Sequence, residues 1–275
     1  MIKTLYISDL DGTLLDAEPK ITAYTRDVIN RFTGSGGHFT VATARSLDSA
    51  AQVIGDLKLN VPAALLGGVY FYDTQTRRYM KIAALDPPCA ADLFKTLAEA
   101  GVTGFVYAFV NGGFKYYYEN LDAPHRKEFH DVRAANLGRV YQKTASFSQL
   151  CDQNISQFAA LDDYGLMLPV YERLKDDNRF NIEFYRDIYH ESFWFMEISP
   201  AAASKRNAVL YLKETYGFDR VVCFGDNLND LPMFEVSDEC YATANAKEQV
   251  KAKATAVIGA NSGDGVARWM EERFL

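Results

Sequence analysis

Lys3-Thr-Leu-Tyr-Ile-Ser-Asp9-Leu-Asp11-Gly12-Thr-Leu-Leu15 decides how this chain is read. Lys3 to Ser8 is apolar and rich in β-favouring residues, as a buried strand requires. Two carboxylates, Asp9 and Asp11, follow where that strand ends, and Gly12 opens backbone conformations that other residues resist. Like charges held this close repel and raise at least one pKa unless a cation stands between them. A divalent metal is the natural third member of the group. Taken alone, the same residues also fit a solvated turn, because Asp and Gly are common turn formers.

The 275 residues are enough for one large domain or two smaller ones and for a sizeable core. A composition of 48% hydrophobic and 24% charged residues is that of an ordinary globular protein. The net charge of −7 argues against a nucleic-acid binder and against docking on anionic lipid. No apolar run is long enough to span a bilayer, and the N-terminal run meets Asp9 too soon for a signal peptide. The expectation is a cytoplasmic protein with no nucleic-acid or membrane partner; the sequence says nothing of its oligomeric state. Cys89, Cys151, Cys223 and Cys240 are scattered without CxxC spacing, so they read as reduced, mostly buried thiols. His125, His130 and His190 lack metal-like spacing and read as surface or packing residues.

The first third alternates strand and helix. Thr22 caps a helix over 23–32, and Gly34-Ser-Gly-Gly37 ends it. That glycine run follows a helix and precedes a strand, the wrong order for a phosphate-binding loop. Strands are expected at 38–42 and 63–66, with a helix between them through Leu57, and a hairpin at 69–82. Such alternation implies a parallel sheet covered by helices. The pattern changes at Asp86-Pro87-Pro88. From there a helix over 90–100, a hairpin turned by Asn111-Gly112-Gly113, helices at 124–137 and 166–175, and strands at 157–161, 181–185 and 193–198 read as an α+β module. Strand–helix order returns near Ser199-Pro200: a helix over 204–216, a strand over 221–224, helices at 231–236 and 247–253, a short strand at 256–258 and a helix over 265–274. The expected architecture is α/β: a Rossmann-like parallel-sheet core from residues 1–83 and 200–275, with an α+β module, 84–199, inserted between its halves.

In an open α/β sheet, ligands bind beyond the carboxyl ends of the strands. Three expected strands end in suitable residues: Asp9 and Asp11, Thr43, and Asp226 with Asp230 in Gly225-Asp-Asn-Leu-Asn-Asp230. Converging carboxylates need a hard cation, and an oxygen-only donor set suits Mg²⁺. Lys205, near the start of its helix, can supply a point charge to a phosphate. Each residue also has a plainer reading: Thr43 as a helix N-cap, Lys205 as an exposed helix residue, Asp226 and Asp230 as loop and capping residues.

Taken together these motifs resemble the haloacid dehalogenase superfamily of phosphatases, most of all its Cof-type sugar-phosphatase branch with a large cap of the second type. Asp9-Leu-Asp-Gly-Thr-Leu-Leu15 matches the first motif, Val41-Ala-Thr43-Ala-Arg45 the second, Ile198-Ser-Pro-Ala-Ala-Ala-Ser-Lys205 the third, and Phe224-Gly-Asp226-Asn-Leu-Asn229-Asp230 the fourth. Ala244-Asn-Ala246 and Asn261-Ser-Gly-Asp-Gly-Val266 are also similar to this branch. Two positions depart from it: Ala44 stands where Gly is usual, and Gly67-Gly68 where Asn-Gly is frequent. The resemblance implies Mg²⁺-dependent hydrolysis of the phosphate monoesters of small metabolites, sugar phosphates above all, through an aspartyl-phosphate. It implies Asp9 as nucleophile and Asp11 as acid and base. Mg²⁺ is then held by Asp9, the Asp11 carbonyl and Asp226, and phosphate by Thr43 and Lys205. Asp230 is implied as the residue that orients Lys205 or a metal-bound water, and Asn229 as facing phosphate or substrate. The inserted module, with Tyr107, Phe109, Phe114, Tyr116, Tyr117 and Tyr118 on expected strands, is implied as the cover that selects the substrate. Core packing accounts for most of these aromatics. The alternatives are a sugar phosphomutase or phosphotransferase and, from another class, a non-catalytic phosphometabolite-binding protein.

Overall fold

A computed structural model describes residues 2–187 and 192–274. His190 lies outside the described residues. The chain divides into two compact units, residues 1–81 with 204–275, and residues 82–203. The architecture is mixed α/β, with a parallel-sheet core and an additional sheet domain.

The first unit is built on a five-stranded sheet in the order Ala256–Ile258, Glu239–Thr243, Arg220–Gly225, Thr4–Ser8, His38–Val41. Every pairing in it is parallel. Parallel strands are buried on both faces, which is why Leu5, Ile7, Val221 and Cys223 are fully covered. On one face the helix Lys205–Tyr216 contributes Ala208, Val209 and Leu212 to a cluster with Leu5, Ile7 and Cys223. Chain order reverses around Thr4–Ser8, which pairs with His38–Val41 on one side and Arg220–Gly225 on the other. That is the position at which a parallel sheet opens a crevice for a ligand. The strand Glu239–Thr243 has no counterpart in the sequence reading; Glu239 and the turn residues around it mask a run of only five residues.

Local chemistry sets the helix ends. The Thr22 hydroxyl accepts from the Thr25 amide, as an N-cap does. Asp86 caps the helix Pro87–Ala100 through the Cys89 amide, so the two prolines occupy its first positions. The helix therefore begins three residues before the expected start. Ser46, not Thr43, stands at the N-cap of Leu47–Ile54, and Gly55 closes that helix short of Leu57. Ser204 caps Lys205–Tyr216 by accepting from Asn207.

The second unit carries a six-stranded sheet in the order Phe180–Arg186, Phe193–Pro200, Asn154–Asp163, Phe105–Val110, Gly113–Tyr118, Tyr141–Lys143. Helices Pro87–Ala100 and Tyr164–Leu174 bury Leu93, Leu97, Met167 and Val170 against one face, where Val106, Ala108, Phe158, Met196 and Ile198 point. Helix Pro124–Leu137 lies on the other face: Phe129 stacks on Phe105 at 4.8 Å and His125 meets Phe193 at 4.2 Å. Alternation along the strands sorts the aromatics. Tyr117 belongs to the helix-covered core, while Tyr107 and Tyr116 meet edge to face on the opposite side, with Arg139 over both. Of the six aromatics, Tyr107 and Tyr117 are buried and the other four are partly buried. Among the described residues no helix is long and apolar enough to cross a membrane.

Candidate active site

The strand Thr4–Ser8 delivers Asp9 beyond its carboxyl end, and the Asp9 amide still donates to the Phe224 carbonyl at 3.0 Å. The chain then coils through one wide turn, Leu10–Leu14, in which Gly12 takes a φ of +77°. A side chain is doubly excluded at Gly12. The left-handed backbone disfavours it, and a Cβ would collide with the Asp226 carboxylate. Thr13 donates to Asp226 Oδ1 at 2.9 Å. The turn is pinned from a third side, where Asn245 Nδ2 and the Thr243 hydroxyl donate to the Gly12 carbonyl at 2.8 and 3.3 Å. Asn261 holds the turn's exit through Leu15 O at 2.9 Å and donates its backbone amide to Asn245 Oδ1. The downstream asparagines thus fix the shape of the first loop, a job that their sequence position alone does not disclose.

Asp9, Asp226 and Asp230 each bring a carboxylate oxygen within 4.8 Å of the others. Lys205 Nζ donates to Asp9 Oδ1 and to Asp230 Oδ1, both at 2.6 Å, with Lys205 4% and Asp230 0% exposed. The second Asp230 oxygen accepts the amides of Asp226 and Asn227 at 2.9 and 3.0 Å. Asp230 thereby accepts three hydrogen bonds. It places Lys205 and at the same time fixes the loop that presents Asp226.

Electrostatics follow from this crowding. The Asp9 carboxyl is raised to about 7: burial is the main cause, Lys205 opposes it, and Asp230 and then Asp226 add to the rise. Burial also raises Asp226, with the Thr13 hydroxyl opposing and Asp230 adding to the rise. Burial by itself lowers Lys205, but the Asp230 and Asp9 carboxylates outweigh it and hold the ammonium charged. Three carboxylates around one ammonium form a group that could hold a metal ion.

Asp11 is not in this group. Its two oxygens receive Arg45 Nε at 2.7 Å and an Arg45 terminal nitrogen at 2.6 Å. This two-point geometry is the strong form of a guanidinium–carboxylate pair. Thr43 is buried behind it, and its hydroxyl accepts from the Arg45 amide at 3.1 Å, leaving the hydroxyl proton to donate elsewhere. Asn229 is exposed on the short turn Leu228–Asp230. Both departures suit the backbone: Gly67, at φ +64°, takes the left-handed conformation that asparagine also adopts, and a Cβ there would meet nothing within 4 Å. Ala44 is exposed and has no left-handed φ, so glycine is not required there. Gly68, at φ +97°, would place a Cβ 2.7 Å from the Ser204 carbonyl, so its bareness lets this loop approach the start of the helix that bears Lys205.

The chain is similar to known proteins over nearly its whole length. A family model described as haloacid dehalogenase-like hydrolase matches residues 6–270. The pyridoxal phosphate phosphatase YbhA of Escherichia coli is 25% identical over 275 residues, covering 97% of each chain. The 5-amino-6-(5-phospho-D-ribitylamino)uracil phosphatase YwtE of Bacillus subtilis is 26% identical over 287 residues, covering 96% of each. A haloacid dehalogenase-like hydrolase from Bacteroides thetaiotaomicron shares the fold, with a TM-score of 0.77 at 22% identity over 98% of this chain and 99% of that one.

Proposed function

Since this chain belongs to the haloacid dehalogenase-like hydrolases, we propose that it is a Mg²⁺-dependent phosphatase acting on small phosphorylated metabolites through an aspartyl-phosphate on Asp9. The observation that carries this reading is the buried ion pair of Asp9 with Lys205, set among Asp226 and Asp230 at the ends of adjacent parallel strands.

The donor set fits a hard cation, because it is made of carboxylate oxygens only. Asp9 and Asp226 are the side chains that would hold Mg²⁺, with the Asp11 carbonyl beside them. Asp230 is already engaged by Lys205 and two amides. Bound there, Mg²⁺ supplies positive charge that lets an anionic phosphate approach an anionic carboxylate.

The chain's own residues supply the rest. Asp9 Oδ2 attacks phosphorus while Lys205 keeps Oδ1 fixed, so the nucleophile is oriented before substrate arrives. Lys205 and the Thr43 hydroxyl donate to the phosphoryl oxygens as charge moves onto them. Asp11 gives its proton to the departing alcohol oxygen and later takes one from the attacking water. Arg45 grips both Asp11 oxygens, so this step requires the guanidinium to let go or swing aside.

Two relatives are named for phosphorylated metabolites, pyridoxal phosphate and a phosphoribitylamino-uracil, and the motifs resemble sugar phosphatases. Together they support a metabolite monoester as the substrate class. The test is a panel of such monoesters assayed for released phosphate with Mg²⁺ and with EDTA. Mg²⁺-dependent turnover that disappears in Asp9→Asn is expected. Turnover unaffected by EDTA, or retained in Asp9→Asn, overturns the proposal.

A further inference from the structure

Glu239–Thr243 is the neighbour of Arg220–Gly225 in the parallel sheet, so it ends at the same edge as Asp9 and Asp226. What it delivers there is an amide. Its carboxyl end passes into Ala244-Asn245-Ala246, and this turn is bonded to both loops that carry the proposed metal ligands. Asn245 Nδ2 donates to the Gly12 carbonyl at 2.8 Å, and the Lys247 amide donates to the Asp226 carbonyl at 2.9 Å. Asn245 is held at both ends of its side-chain amide. The Asn261 backbone amide can only donate, and it donates to Asn245 Oδ1 at 3.0 Å. That settles which way the group faces, with its oxygen toward Asn261 and its nitrogen toward Gly12.

The carbonyl that Asn245 grips belongs to the residue with the most backbone freedom in the loop. Position 12 must be glycine, because a Cβ would strike the Asp226 carboxylate. Glycine leaves the peptide planes on either side of it able to reorient, since no side chain restricts its φ. A donor on the Gly12 carbonyl removes that freedom. On one side it sets the Asp11 carbonyl. On the other it sets Thr13, whose buried hydroxyl donates to Asp226 Oδ1 at 2.9 Å. The Thr243 hydroxyl is a second donor to the Gly12 carbonyl, over a longer 3.3 Å. Asn245 is exposed, so it acts on the loop through these bonds and not through packing.

We propose that Asn245 is a positioning residue for the metal site: by holding the Gly12 carbonyl it presents the Asp11 carbonyl and, through Thr13, the Asp226 carboxylate to Mg²⁺. The inference rests on the phosphatase reading for the identity of the cation. It makes Asn245 a determinant of Mg²⁺ affinity and leaves the phosphate donors Lys205 and Thr43 as they are.

The experiment compares two asparagines with the same bonding pattern. Asn60 also joins two backbone groups, accepting from the Phe39 amide at 3.0 Å and donating to the Gly37 carbonyl at 2.7 Å. It does so at the amino end of His38–Val41, the opposite edge of the parallel sheet. Mg²⁺ binding to the full chain, without substrate, is measured by isothermal titration calorimetry. Asn245→Ala is expected to bind Mg²⁺ about tenfold more weakly, as loss of a group that orients a metal ligand does. Thr243→Val, which removes the longer bond and keeps the side chain's shape, is expected to weaken binding about threefold. Asn60→Ala should lower Tm at least as much as Asn245→Ala and yet bind Mg²⁺ as the wild type does. At saturating Mg²⁺, Asn245→Ala should keep the wild-type KM for a phosphomonoester. Unshifted Mg²⁺ affinity in a folded Asn245→Ala, or an equal shift in Asn60→Ala, overturns the inference and leaves the phosphatase reading standing. A wild type that binds no Mg²⁺ overturns that reading and this inference with it.

Discussion

Two places in this molecule press carboxylates together, and they resolve the repulsion in opposite ways. In the first unit, Asp9, Asp226 and Asp230 surround a lysine that is itself buried, and two backbone amides satisfy the remaining Asp230 oxygen. In the second unit, Glu183 and Glu197 face each other across adjacent strands beside a tyrosine hydroxyl and an aromatic cavity. The first arrangement is organised internally around Lys205. In the second, burial and Glu183 raise the Glu197 carboxyl, while the Tyr185 hydroxyl, Arg133 and Arg139 favour its charged form. The difference is one of charge compensation: a buried ammonium and two backbone amides hold the first cluster, whereas burial leaves the second with a raised carboxyl.

Breaking the first arrangement should give the largest effects. Asp9→Asn is expected to lower kcat by at least about 10³-fold, as loss of a covalent nucleophile does, without unfolding the protein. Steady-state kinetics alongside circular dichroism check both halves. Lys205→Met leaves Asp9 and Asp230 facing each other with no cation between them. Urea unfolding should then show a loss of about 3 kcal/mol, together with at least about a 10²-fold fall in kcat. Gly12→Ala forces a left-handed alanine against the Asp226 carboxylate, and a stability cost of about 1–3 kcal/mol is expected. Because it displaces a proposed metal ligand, the Mg²⁺ concentration for half-maximal activity should also rise about tenfold, read from a Mg²⁺ titration.

The smallest effect belongs to the second arrangement, and its sign is opposite. Glu197 titrates near 7 when folded, above the ordinary carboxylate value, so the folded state binds the extra proton between those limits. Its favourable contribution is present at low pH and is lost as pH rises through 7. Glu197→Gln should therefore match the wild type near pH 5 and exceed it by on the order of 1 kcal/mol at pH 8, discounted for partial solvent access. Thermal melts at the two pH values test this. A variant equally stabilised at both, or destabilised at pH 8, contradicts the description of Glu197 as a strained carboxylate.

The sequence discloses the reacting group far better than the residues that position it. Asp9 and Asp226 each follow a short apolar run, so their strand-end placement is legible from local pattern. That Asp9, Asp226, Asp230 and Lys205 meet in one place follows from the parallel order of the strands that carry them. Arg45 sits on the quoted second motif, yet its grip on Asp11 spans 34 residues and leaves no periodic trace. Asn245 and Asn261 are equally silent, because they act by donating to backbone carbonyls at Gly12 and Leu15, which any sequence possesses. Short strands are lost for a related reason. Glu239–Thr243 and Tyr141–Lys143 are held by their neighbours in the sheet, and neither is long enough to display its own alternation. The cavity against helix Pro124–Leu137 depends on strand register, which brings Tyr185 beside Phe195 and Glu183 beside Glu197. Both pairs join consecutive antiparallel strands.

The most direct test of the central claim is to trap the covalent step. The protein is mixed with Mg²⁺ and a phosphomonoester that it turns over, quenched rapidly in acid, digested, and mapped by mass spectrometry. A phosphoryl adduct on the peptide containing Asp9, absent from Asp9→Asn, is the predicted result. Active turnover with no adduct on that peptide at any quench time, or an adduct on a different residue, would contradict the assignment of Asp9 as the nucleophile.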